Sequence, residues 1–143
     1  VPVARASGPD VDRSARGRLA AETVAWVPPA LTPAAGATWR PVDDDHAVVT
    51  LAVDGDSFDV TVTVDDDGNL RDVTMRRWGN PDDKKFAEHA FGASVDRVAD
   101  FDGVAIAAEG RVGWHWGTER QSEGEFFRYR ITGARFPRGR GPG

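Results

Sequence analysis

The sequence predicts an α+β fold that is mostly β: one N-terminal helix packed on a curved antiparallel meander of about seven strands, a half-barrel or partly open barrel. Three observations point there. Apolar residues recur at helical spacing only up to Trp26, and with a period of two after Gly36. The pairs Asp54-Gly55 and Asp102-Gly103, and the run Asp65-Asp66-Asp67-Gly68-Asn69, punctuate the second part as tight turns between strands. The chain has 143 residues, enough for one core, and shows neither an internal repeat nor a second domain.

Residues 1–12 hold Pro2, Gly8 and Pro9 and read as an extended lead-in. A helix is expected over 13–27, capped by Asp10 or Asp12, with Ala15, Leu19, Thr23 and Trp26 as its apolar stripe opposite Arg13, Arg16 and Arg18. Pro28-Pro29 must end it, because proline lacks an amide donor and clashes with the preceding turn. A loop over 30–36 then lays Leu31 on the apolar side. The antiparallel sheet should occupy 37–136, with strands over 38–42, 46–53, 58–64, 70–78, 91–100, 104–116 and 125–136. The third is the plainest, since Phe58, Val60, Val62 and Val64 alternate with Asp59, Thr61 and Thr63. Residues 79–90 are too polar and interrupted for a strand and read as a long loop. In 104–116, alternation puts Val104, Ile106, Ala108, Val112, Trp114 and Trp116 on one face and Glu109, Arg111 and His115 on the other. Residues 137–143 read as a disordered tail.

Composition narrows the function classes. A formal net charge of −5, with acids in short runs, argues against a nucleic-acid footprint. The absence of cysteine excludes disulfides, thiolate metal sites and cysteine nucleophiles. No apolar run reaches the length of a membrane span, and no signal-peptide layout opens the chain, which favours a cytoplasmic setting. The chain does not begin with Met and reads as a fragment or a processed form. The three histidines are far apart and form no close ligand pair, so neither a metal nor a cofactor is expected. Asp65 to Asn69 lacks the frame of a calcium loop and reads as a hairpin turn.

What stands out is aromatic. Trp26, Trp39, Trp78, Trp114, Trp116, Phe127 and Tyr129 exceed what a core of this size needs, and Asn80 beside Trp78 sits at a strand end where a cavity mouth can form. These eight residues are the expected lining of an apolar cavity, in a binding module for a lipid-like or other hydrophobic small molecule. The alternative is an enzyme using His115 with Glu123 or Glu125, an acid–base couple if register brings them together, and Arg128. A third reading is a half-sheet that completes another subunit, or a homodimer, through an exposed edge.

Five ordered segments carry a family resemblance: SGPDVDRSARGRLAAETVAWVPPALTP, GATW, MRRWGNPD, GRVGWHWGT and GEFFRYRITGARF. Together, over residues 3–136, they resemble the C-terminal part of a family of uncharacterised bacterial proteins, a domain of unknown function. The family's corner after the helix usually has an aromatic where Val27 stands here. The resemblance implies a further strand-rich half before this point, and a sheet similar to the half-barrels of lipoprotein carriers. It brings no catalytic residues.

Overall fold

Seven strands form one open antiparallel sheet whose order follows the chain without a crossover. The structure, a computed structural model, describes residues 7–137. The strands are β1 (Thr38–Pro41), β2 (His46–Val53), β3 (Asp56–Val64), β4 (Leu70–Gly79), β5 (Ala87–Phe101), β6 (Val104–Trp114) and β7 (Glu125–Arg130). One long helix, α1 (Pro9–Trp26), packs on one face; α2 (Gln121–Gly124) is a single turn between β6 and β7, and two 3-10 turns, Pro28–Leu31 and Pro33–Ala35, link α1 to β1. The expected lead-in over 1–6 and tail over 138–143 lie outside the described residues.

The helix starts earlier than expected. Gly8 caps it with φ 120°, and Pro9 opens the first turn, where its missing amide costs nothing and its fixed φ suits the helix. Asp10 and Asp12 lie in that first turn, favourably placed against the helix dipole, rather than at the cap. The buried stripe also differs. Gly17, Ala20, Ala21, Val24 and Ala25 face the sheet, whereas Leu19 is 48% exposed. Small residues win this face because they let the helix axis approach the strands. A Cβ on Gly17 would stand 3.1 Å from Arg77 Cγ.

Local turn chemistry sets the middle of the meander. Asp54 and Gly55 both take positive φ, as do Asp102 and Gly103, the combination a two-residue hairpin with right-handed strand twist demands. The Asp65 to Asn69 turn is closed by its own carboxylate, which accepts from the amides of Asp67 and Asn69 and from Arg71. In register, Val49 faces Val60, Val62 faces Val73, and Met75 faces Phe91. Val49, Val60, Val73 and Phe91 are the largest fully buried side chains, and Ala20 and Val24 of α1 pack against them.

The second half of the sheet departs from simple alternation. β5 begins at Ala87, so the loop expected over 79–90 shrinks to 80–86; Arg77 pairs with His89 and Gly79 with Ala87. Residues 87–90 are held by this pairing with Arg76, Arg77, Trp78 and Gly79, so the stretch forms a strand without an apolar alternation. Register irregularities at Val95, Arg97 and Val98 shift β5 against β6. Ala107, not Ile106, consequently packs with Ala25 of α1 and Val95. β6 stops at Trp114, because His115 takes φ 59° in the left-handed region. Trp114 and Trp116 therefore do not share a face. Trp114 packs on Phe91 and occupies the space that a side chain on Gly79 would need. Trp116 lies against Gly92, a position that alternates with Phe91 and Ala93 and so points away from the helix. β7 ends at Arg130 rather than continuing to Phe136, after one further bond from Ile131 N–H to Ala108 O at 2.7 Å.

Candidate functional site

The end of α1 and the proline-bounded turns after it do not close onto the sheet. Between them and the strands lies a concave cavity of about 390 Å³. Val24, Ala25, Pro28 and Leu31 form its helix side, Ala47, Val62 and Val64 the β2–β3 wall, and Val98 and Ala105 to Ala107 the β5–β6 wall. Alanine at four of these positions leaves the space that larger residues would fill. Trp39 stands at the opening, 44% exposed, and its Nε1–H donates to Leu31 O at 2.8 Å, tying the proline segment to β1. Small-molecule sites run to roughly 300–1,000 Å³ and are lined chiefly by apolar side chains, and this cavity meets both conditions.

Its polar rim comes from the β1–β2 turn: Asp43, Asp44, Asp45 and His46. Asp43 is the organiser. Its Oδ1 accepts from the amides of Asp45 and His46, at 2.9 and 2.8 Å, and lies 2.8 Å from His46 Nδ1. The His46 hydrogen bond is the main cause that holds the Asp43 carboxyl below its ordinary range. The side chains of Asp44 and Asp45 are exposed and engage no partner among the described residues. No lysine or arginine lines the cavity.

A second concavity, of about 440 Å³, sits at the corner after β6. His115, 9% exposed, donates its amide to Ala90 O at 2.7 Å, and its carbonyl accepts from Thr118 Oγ1 at 2.6 Å. These bonds hold the left-handed backbone. The imidazole Nε2 stands 3.6 Å from Asp82 Oδ1, an ion pair when the ring is protonated. Asp82 in turn accepts from Arg120 Nη2 at 2.7 Å, and Arg120 Nε donates to Glu123 at 3.1 Å. The Arg120 hydrogen bonds are the chief reason the Asp82 carboxyl lies below its ordinary range, with His115 and His89 adding a smaller charge effect. Trp114 and Phe126 supply aromatic walls, and the His89 ring meets that of His115 edge-on at 6.1 Å.

The eight aromatic-set residues are thus dispersed. Only Trp39 borders the 390 Å³ cavity. Trp26, Phe127 and Tyr129 surround a space of about 30 Å³, room for one water, under the end of α1. There the Trp26 and Tyr129 rings meet edge to face at 5.1 Å. Trp78 is outside both: its Nε1–H donates to Asp10 at 2.9 Å and the Arg13 guanidinium lies 4.0 Å above its ring. Trp114 lines the His115 corner, while Trp116 is buried over Gly92. Asn80 Oδ1 accepts from Lys84 N–H at 2.7 Å and shapes the loop after β4. Glu125 and Arg128 bind each other at 2.9 Å, and Asp82, not Glu125, is the carboxylate His115 meets. Asp82, Arg120 and the Asp43 to Asp45 rim were missed from sequence. Their only signal was charge in segments that read as turns.

Among the described residues no three His, Asp or Glu side chains converge as a metal site, and no helix is long and apolar enough to cross a membrane. Comparison with curated proteins and with solved structures found no match. A family model does match, over residues 1–126, and by that match the chain belongs to DUF6544, a family of unknown function.

Proposed function

We propose that the protein is a non-enzymatic binding module that takes a hydrophobic or amphipathic small molecule in the cavity beyond the end of α1. The observation that supports it most is a mostly apolar space of about 390 Å³ between the end of α1 and the sheet. A half-barrel curvature of the sheet, by analogy with the half-barrels of lipoprotein carriers, would suit such a pocket. Native mass spectrometry on protein purified from its own host is expected to find a copurifying small molecule, and calorimetry is expected to register binding of 1-decanol. Bare protein in the first experiment with no heat in the second would overturn the proposal.

A second reading, an enzyme, is favoured by one observation: a buried histidine held in a strained left-handed backbone, 3.6 Å from a carboxylate, in a concave corner. In it His115 serves as general base with Asp82 as its orienting partner. Hydrolysis of an activated ester such as p-nitrophenyl acetate should then follow a pH profile set by one imidazole and drop at least tenfold in Asp82→Asn. Rates equal to free imidazole would count against it. Among the described residues the outer strands β1 and β7 have one partner each, so the homodimer reading predicts association through an edge. Light scattering that gives a monomer at every concentration would remove it.

A further inference from the structure

We infer that the cavity selects its ligand by charge and takes cationic amphiphiles, a long-chain amine or quaternary ammonium, in preference to fatty acids. This rests on the binding reading above and specifies the class of ligand. The walls are sign-blind: alanine, valine, leucine and proline accept any apolar tail. The mouth is not. Three carboxylates line it, and none of the lining residues is a lysine or arginine. Asp43 is kept ionised by the His46 contact and two amides, so its charge is fixed at neutral pH. Asp44 and Asp45 line the same opening, exposed and without a side-chain partner among the described residues. The arginine of the neighbouring turn, Arg71, is occupied by Asp65 and does not neutralise them.

A second feature independently favours an ammonium head. The Trp39 indole, fixed by its bond to Leu31 O, is an exposed aromatic surface at the same opening. Aromatic faces attract cations through the ring quadrupole, and quaternary ammonium groups in particular are recognised by aromatic and acidic side chains together. A carboxylate head placed there would meet the like charges of Asp43, Asp44 and Asp45. A neutral hydroxyl would be indifferent.

The size of the preference follows from Coulomb's law. One carboxylate about 4 Å from a unit charge in water changes affinity by roughly fivefold, and reversing the sign of the ligand squares that, to roughly 25-fold. The experiment is calorimetry on the full chain at low ionic strength, with decyltrimethylammonium, 1-decanol and decanoate, each far below its micelle concentration. The expected order is cation tightest, decanol between, and decanoate weakest by about 25-fold, with the gap closing toward 1 M salt as the Debye length falls to about 3 Å. In the double variant Asp44→Asn with Asp45→Asn the gap between cation and decanoate should shrink, leaving only the part due to Asp43, while the affinity for decanol stays as it was. Asp43 is left intact because it holds the turn. Equal binding of all three ligands, a preference for decanoate, or an unchanged preference in the double variant would each overturn charge selection while leaving the cavity as a binding site. Failure of decanol itself to bind would instead overturn the binding reading.

Discussion

The two halves of α1 are attached to the sheet by different physics. The first half is fastened by directional polar contacts. Trp78 donates to Asp10, Arg16 pairs with Asp56 at 2.7 Å, Arg13 reaches Glu88 at 3.4 Å, and Arg77 donates from Nε to Ser14 O at 2.9 Å and from Nη2 to Ser14 Oγ at 3.1 Å. The second half rests mainly on Ala20, Ala21, Val24 and Ala25, with Trp26 edge-on to Tyr129, and ends over the cavity. The two halves also border different spaces: a polar concavity of about 800 Å³ edged by Asp10, Arg13, Arg16, Asp56, Trp78 and Glu88 at the first, and the mostly apolar cavity at the second. What suits a hydrophobic ligand is the mostly apolar lining at the second half rather than the salt-bridged one at the first.

Within the first half the contacts are unequal. Arg13 and Arg16 form exposed pairs, each worth about 0–1 kcal/mol. Arg77 is 8% exposed, and burial, with a smaller effect of the Arg18 charge, pushes its pKa down to about 10, so it is still cationic at neutral pH. Its guanidinium lies 4.5 Å from the Phe91 ring and 4.6 Å from that of Trp114, which together with Ser14 replace the water it lost. Arg77→Ala is therefore expected to show the largest effect, about 3 kcal/mol of unfolding free energy in urea titration, by removing the bonds to Ser14 and the contacts with Phe91 and Trp114 and opening a void. Arg77→Met should recover more than half of it, since an apolar side chain of similar volume avoids the dehydration cost. Loss of the same 3 kcal/mol in Arg77→Met would mean that the polar contacts, not the packing, dominate.

In the second half Val24→Ala is the matching probe. Val24 is 3% exposed, but its neighbour on one side is the cavity, open to solvent, so the new gap adds little unfavourable void. The expected cost is about 1–1.5 kcal/mol, at the low end for removing buried methyl groups. A cost near that of Arg77→Ala would dissolve the distinction between the two halves.

How much of this was legible depends on range. The β2–β4 meander could be read because its determinants are local: strict alternation along β3 and turns whose Asp and Gly residues tolerate positive φ. The helix was legible but its buried face was not, since periodicity weighed Leu19 above Gly17 and Ala20 and gave no credit to smallness. The start of β5, the shift at Val95 to Val98 and the reversal at His115 depend on partners across the sheet. So does the dispersal of the tryptophans: Trp114 and Trp116 are placed by the glycines beneath them, Gly79 and Gly92, on two other strands. The cavity was the least legible feature. A void is set by where α1 stops relative to the sheet, and the alanines that leave it open carry no pattern.

The smallest expected effect concerns what holds the loose end. Trp39 lies on the edge strand β1 and is 44% exposed, so its packing contributes little, but its Nε1–H bond to Leu31 O is the side-chain hydrogen bond that ties the Pro28–Leu31 turn to the sheet. Trp39→Phe keeps most of the aromatic surface and deletes that donor. An exposed hydrogen bond of this type contributes about 0.5–1 kcal/mol, so global stability should fall by no more than that. The local consequence should be larger than the global one. Amide exchange should quicken at Leu31 and in the adjoining last turn of α1, while the amides around Ser14, held from the sheet side by Arg77, keep their rates. Uniform quickening along the whole of α1 would show that the helix opens as one unit, and that the cavity end is no looser than the clamped one.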